Sequence, residues 1–183
     1  MLDVTPIWTP DVQQQNYRAL LEVMSRPGSV EEIQRAKSDV TYLAVLATLV
    51  DGEVSLADPD ALLDELHWPM LQAQLAPADA ADYILCRGDQ APSLNPRLGT
   101  LPCPELSATL IIQVESLTEG NLNLQLSGPG VNGKADVNIA GISPAWLAQR
   151  EHWVCAFPLG VDMILVDGAA VMALPRTTKV EVC

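Results

Sequence analysis

The side chains best suited to chemistry gather near the end of this 183-residue chain: Asp162, then Arg176, Thr177 and Thr178. Asp162 follows Phe157-Pro158-Leu159-Gly160-Val161 and sits inside the apolar run Val161–Val166. A carboxylate in a buried strand is costly unless it is paired or hydrogen-bonded. The partner is close in sequence. Asp167-Gly168, between Val161–Val166 and Ala170–Leu174, is a strong hairpin signal. A loop of two or three residues there sets Asp162 opposite position 175 or 176, within reach of the planar guanidinium fork of Arg176. Two chemistries are then open. One is a structural ion pair, Asp162 with Arg176, that locks the hairpin. The other is an anion or partner contact in which Arg176, Thr177 and Thr178 offer a guanidinium and two hydroxyls in a row. Arg18 and Arg26 are further candidates for that contact. They lie eight positions apart on a helical stretch, a little over two turns, and so face roughly the same side.

Other chemistry is poorly supplied. A nucleophilic triad or dyad would have to use His67 or His152, and each stands beside a tryptophan, a setting suited to packing or capping. The lysines are Lys37, Lys134 and Lys179, none in a pyridoxal-phosphate motif. Gly128-Pro129-Gly130-Val131-Asn132-Gly133-Lys134 is glycine-rich but lacks the Gly-Lys-Ser/Thr ending of a phosphate loop, and reads as a turn between strands. Cys86, Cys103, Cys155 and Cys183 are scattered without a Cys-x-x-Cys pair, and read as reduced thiols in the core. No zinc or iron–sulfur spacing exists. The expectation is no catalytic residue, no metal and no cofactor.

The elements that must position these residues follow from periodicity and breakers. Residues 11–25 read as an amphipathic helix capped by Asp11, with Val12, Leu20, Leu21 and Met24 as its apolar stripe, stopped by Arg26-Pro27-Gly28. Residues 39–50 read as a helix apolar almost all round. Val54–Leu56 is a short strand, and Asp58-Pro59 starts a helix to about Leu66. Residues 77–81 form a turn or short helix. Asp82–Cys86 is a buried strand, and Leu94–Leu106, with three prolines, is loop-rich. Ala108–Val114 reads as a central strand and Asn121–Ser127 as a half-exposed one. Ser143-Pro144 opens a helix to about Glu151. Helices early and strands late predict an α/β sandwich with a mixed sheet, in one domain over residues 1–183.

Composition narrows the partners. Acidic residues outnumber basic ones 23 to 10, a formal charge of −13, with the excess concentrated in the first half. Such a chain repels nucleic-acid backbone. Residues 1–6 show neither a basic nor an apolar leader region, and the longest apolar stretch, Tyr42–Val50, is too short for a bilayer span. These features predict a cytoplasmic protein with no nucleic-acid or membrane partner.

With these residues in view, the chain resembles the PhnH family, the H subunit of the bacterial carbon–phosphorus lyase system of phosphonate utilisation. The likeness rests on Tyr17-Arg18-Ala19-Leu20-Leu21, Met24-Ser25 and Pro27-Gly28 at the front. It continues through Ala108-Thr109-Leu110-Ile111 and Leu126-Ser127-Gly128-Pro129-Gly130. Its most specific parts are Phe157–Asp162 and Leu174-Pro175-Arg176-Thr177-Thr178-Lys179-Val180-Glu181-Val182-Cys183. The resemblance implies an α/β sandwich related to pyridoxal-phosphate-dependent transferases but lacking the cofactor. It implies a homodimer that joins the G, I and J subunits in a core complex. That complex attaches an alkylphosphonate to the ribose C1′ of ATP and releases adenine, with the H subunit in an assembly role. The runner-up from the residues alone is an enzyme or binding protein with its own phosphate or nucleotide site around Arg176–Thr178.

Overall fold

The computed structural model of the protein describes residues 6–36 and 39–183. The leader-free reading of residues 1–5, and Lys37, lie outside them. Among the described residues there are four α-helices, α1 Pro10–Ser25, α2 Thr41–Leu49, α3 His67–Leu71 and α4 Ala145–Val154, and ten strands. The strands are β1 Glu31–Glu32, β2 Ser55–Ala57, β3 Gln74–Leu75, β4 Tyr83–Arg87, β5 Thr109–Gln113, β6 Leu122–Ser127, β7 Ala135–Ile139, β8 Asp162–Val166, β9 Ala170–Leu174 and β10 Lys179–Val182. Seven strands make a mixed sheet in the order β1-β9-β8-β5-β4-β2-β3, and three make an antiparallel sheet in the order β10-β6-β7.

Parity along the strands decides the layers, because alternate side chains point to opposite faces. In β8, Met163 and Leu165 join Leu110, Ile112, Ile84 and Cys86 on one face of the large sheet. Against that face pack Leu124 and Leu126 of β6, Val137 and Ile139 of β7, and Trp146, Leu147 and Trp153 of α4. Ile164 and Val166 join Ile111 and Leu85 on the other face, beneath Leu20 and Val23 of α1 and nearly all of α2. The parallel strands β4, β5 and β8 are buried on both faces, which is why they read as unbroken apolar runs. The molecule is therefore an α/β structure with a mixed sheet between a helical layer and a second, smaller sheet.

Several local expectations change. No helix runs from Pro59 to Leu66. The Asp58 carboxylate accepts the backbone N–H groups of Leu62 (3.0 Å) and Leu63 (2.7 Å), and Ala61 takes a left-handed φ of 50°, which ends any helix at once. The helix forms one step later, as α3. Asp11 is not a cap: α1 starts at Pro10 with Thr9 at the cap position. Its buried stripe is Asn16, Leu20 and Val23, while Leu21 is half exposed. Asn16 holds its place by exchanging hydrogen bonds with the backbone of Gln34, at 3.0 and 2.7 Å. Of the four cysteines only Cys86 is buried; Cys155 and Cys183 are exposed, so the reading of all four as core groups fails. Burial is the main reason the Cys86 thiol is pushed up to about 12, where it stays protonated and inert.

Candidate functional site

The hairpin of β8 and β9 forms with Met163 paired to Leu174, so Asp162 lies opposite Pro175 at the mouth of the ladder. The chain then turns sharply, the Thr178 N–H donating to Pro175 O at 2.9 Å, and crosses from the large sheet into β10 of the small one. This turn is where Arg176, Thr177 and Thr178 sit, and two arginines hold it.

Arg176 is bonded through every nitrogen. Its backbone N–H donates to Asp162 Oδ1 at 2.7 Å. Its Nε lies 3.3 and 3.2 Å from the two Asp162 oxygens, and its Nη2 is 2.5 Å from Oδ2. Nη2 also donates to Ser107 Oγ at 2.5 Å, and Nη1 donates to Pro104 O at 3.0 Å and Pro158 O at 3.4 Å. Both side chains of the pair are about five-sixths buried, with 16% and 17% exposure. The guanidinium thus ties the turn to β8, to the segment entering β5 and to the segment after α4. Such a fork needs all five N–H donors of arginine, which lysine does not have.

Arg150 holds the same turn from α4. It is 2% exposed, and its Nη2 donates to Pro175 O at 2.6 Å and Thr178 O at 3.0 Å. Burial is the main influence on it and lowers its pKa to about 10, against the opposing pull of Asp162 and Glu151. It remains a cation at neutral pH. Its Nε–H and the hydroxyl of Thr178 are buried without a hydrogen-bond partner among the described residues. Arg150 was missed from sequence, yet a signal was there: with Trp146, Leu147 and Trp153 it falls on the single buried stripe of α4.

The turn borders an open cleft of about 580 Å³, lined by Arg150, Glu151, Phe157 and residues 176–181. Arg176, Thr177 and Thr178 therefore share one site. Thr177 is exposed there, whereas Thr178 is 2% exposed. Arg18 and Arg26 do not line it. Arg26 pairs instead with Glu22 one turn back in α1, at 2.6 Å on the surface. The end of α1 does pack close by. Gly130 has φ +81°, and a β-carbon there would stand 2.1 Å from Ser25 O, so only glycine lets the β6–β7 turn seat against Ser25–Pro27.

A second polar cluster, also missed from sequence, ties β2 to β4 at their N-terminal ends. Asp82 Oδ2 accepts the Ser55 N–H at 2.8 Å and its hydroxyl at 2.6 Å, and Oδ1 pairs with Arg97. Burial raises the Asp82 pKa, but the bonds from Ser55 and Arg97 outweigh it and hold the carboxyl below its ordinary value. No group of three or more His, Cys, Asp or Glu side chains able to hold a metal occurs among the described residues. No helix of them is long and apolar enough to cross a membrane.

Comparison with known proteins adds the context this geometry lacks. The chain is 39% identical to a Stutzerimonas stutzeri protein that carries the name of a C-P lyase subunit, HtxG, over 96% of this chain and 89% of that one. It is 29% identical to the PhnH subunit of alpha-D-ribose 1-methylphosphonate 5-triphosphate synthase from Rhizobium meliloti, over 90% and 88% of the two chains. The model of the bacterial phosphonate metabolism protein PhnH matches residues 7–181. By that match over nearly its whole length, this chain belongs to the PhnH family.

Proposed function

We propose that this protein is a subunit of a C-P lyase complex that forms ribose 1-alkylphosphonate 5-triphosphate from ATP and an alkylphosphonate, and that its role there is assembly rather than chemistry. Family membership over residues 7–181 brings in the complex. The observation that carries the assembly role is the state of Arg176. Its nitrogens are committed to Asp162, Ser107 and two backbone carbonyls, so the motif's strongest anion-binding group is in use as a structural lock. On this reading residues 1–183 form one domain that works in the cytoplasm without cofactor, pairs as a homodimer and docks on the G, I and J subunits. The fold is then a relative of the pyridoxal-phosphate-dependent transferases that has no use for the cofactor.

Co-expression with the G, I and J subunits tests this. The chain is expected to co-purify with them, and omitting it is expected to abolish synthesis from ATP and methylphosphonate. The same variant chain carrying Arg176→Lys should lose both properties in parallel with its folded fraction. Full synthesis by G, I and J alone would sink the proposal.

A second reading has one observation in its favour. Arg150, Arg176, Thr177 and Thr178 line one cleft, a setting for a phosphate or nucleotide group, with Arg26 and Arg18 outside its lining. Submillimolar ATP binding by the isolated chain, lost in Thr178→Val while the fold is kept, would establish it.

A further inference from the structure

The small sheet is open on one side, because its order β10-β6-β7 puts β10 at an edge. The register of β10 on β6 continues to Cys183, whose N–H donates to Asn123 O at 3.0 Å. In such an antiparallel ladder the odd-numbered residues, Lys179 and Glu181, turn their backbone groups to β6, and the even-numbered ones turn theirs away. Thr178 shows where these point, since its carbonyl oxygen accepts from Arg150 Nη2 of α4 at 3.0 Å. Val180 and Val182 follow in the same direction, and their N–H and C=O groups have no hydrogen-bond partner among the described residues.

An edge of this kind is a template for a further strand. A groove lies open along it, between β10 and α4. The cleft at the β9–β10 turn continues past Glu151, Val180 and Glu181 into a second cleft of about 420 Å³, which the same three residues line together with Leu147 and Val182. Both are lined more by apolar than by polar surface. Val182 at one end is 59% exposed and Phe157 at the other 69%. Even-numbered side chains of β10 share the inner face, where Val180 packs against the core, while Lys179 and Glu181 stand on the outer face. Charge then narrows the occupant. Arg150 and Arg176 are committed to the turn. Glu151 and Glu181 are exposed, line both clefts and form no ion pair among the described residues, whereas Lys179 lines only the first cleft.

We propose that the groove between α4 and β10 takes an extended basic segment of a partner protein, which adds to the small sheet as a fourth strand. Main-chain bonds to Val180 and Val182 supply the pairing, as in other cases of strand addition at a sheet edge. Alternate side chains of the segment fall on the apolar inner side. The others, carrying Lys or Arg, stand on the outer side beside Glu181, where opposite charges on neighbouring strands attract. The net charge of −13 draws a partner of the same sign. This inference rests on the assembly role and names the surface through which that role works.

The test measures the affinity of the full-length chain for a co-expressed complex of the G, I and J subunits. Val182→Pro removes the outward N–H and leaves the Cys183 bond to Asn123, a change that edge strands accept. It is expected to weaken binding by about tenfold or more without moving the urea midpoint of the free chain, while Val182→Ala binds as the parent does. Glu181→Lys is expected to weaken binding as well, and residues 178–183 of the parent chain to gain protection from hydrogen exchange in the complex. The exchange measurement decides if Val182→Pro does not fold. A parent chain that binds, with Val182→Pro unaffected or with no gain of protection, overturns the groove proposal alone. Unchanged binding by Glu181→Lys overturns its basic occupant. A parent chain that does not bind at all overturns the assembly role with it. Val182→Pro that turns a dimer into a monomer yet binds G, I and J as before makes the occupant a second copy, which also overturns the proposal.

Discussion

Arg176 and Asp162 act as one unit, and substitution at either leaves the other buried and under-bonded. Arg176→Lys keeps the charge but cannot reach Asp162, Ser107, Pro104 O and Pro158 O together, so we expect a loss of about 2–4 kcal/mol in urea unfolding. An unchanged midpoint would remove the lock from the account. Thr178 behaves oppositely. Its hydroxyl is buried without a partner among the described residues, so Thr178→Val should leave stability within about 1 kcal/mol or raise it. A large loss would mean the hydroxyl has a partner in the folded protein. Asp82 gives a pH signature. Its folded pKa lies below its unfolded value, so its contribution is complete above about pH 4 and drains away as pH falls through the folded value. Asp82→Asn should therefore lower stability at neutral and alkaline pH by a constant amount and flatten the acid side of the curve, where the two proteins converge. A variant whose acid limb runs parallel to that of the parent would rule this out.

The segment between β2 and α3 is the clearest case of a local element decided by side-chain bonding. Asp58 takes the place of backbone acceptors for Leu62 and Leu63, and Ala61 is held at φ 50°. A β-carbon there costs about 1–2 kcal/mol, partly offset by the entropy that alanine spares. Ala61→Gly is expected to stabilise the protein by about 0.5–1 kcal/mol, read as a rise in the thermal midpoint. A lowered midpoint would show that the strain is not there. The β9–β10 turn is the complementary case. Its two arginines come from different elements, and neither the turn nor β10 has enough apolar content of its own to hold the crossing between sheets.

At the level of the molecule, charge and assembly belong together. A chain of −13 with so few basic groups is unsuited to nucleic acid and suited to a partner with a basic face. Light scattering on the isolated chain is expected to give twice its 19.7 kDa, and a monomer mass at working concentration would contradict the homodimer. Binding to the partner subunits should weaken as salt is raised, because exposed charges are screened within about 10 Å at 0.1 M. A salt-independent affinity would point to an apolar interface instead.

The amino-acid sequence alone determined much of this protein. The buried strands β4, β5, β8 and β9 follow from apolar runs, the hairpin from Asp167-Gly168, and α2 from a stretch apolar on all sides, because burial is legible wherever periodicity or its absence is strong. The reach of Asp162 to Arg176 follows from hairpin register, which is local arithmetic. Tertiary structure decided the rest. The strands β1, β3, β7 and β10 are short or half polar and exist only because a neighbour pairs with them. Arg150 reaches the turn across 25 residues of sequence, and Asp82 meets Ser55 across 27. No window of sequence holds both partners of such contacts, so their chemistry becomes visible only when the sheets bring them together.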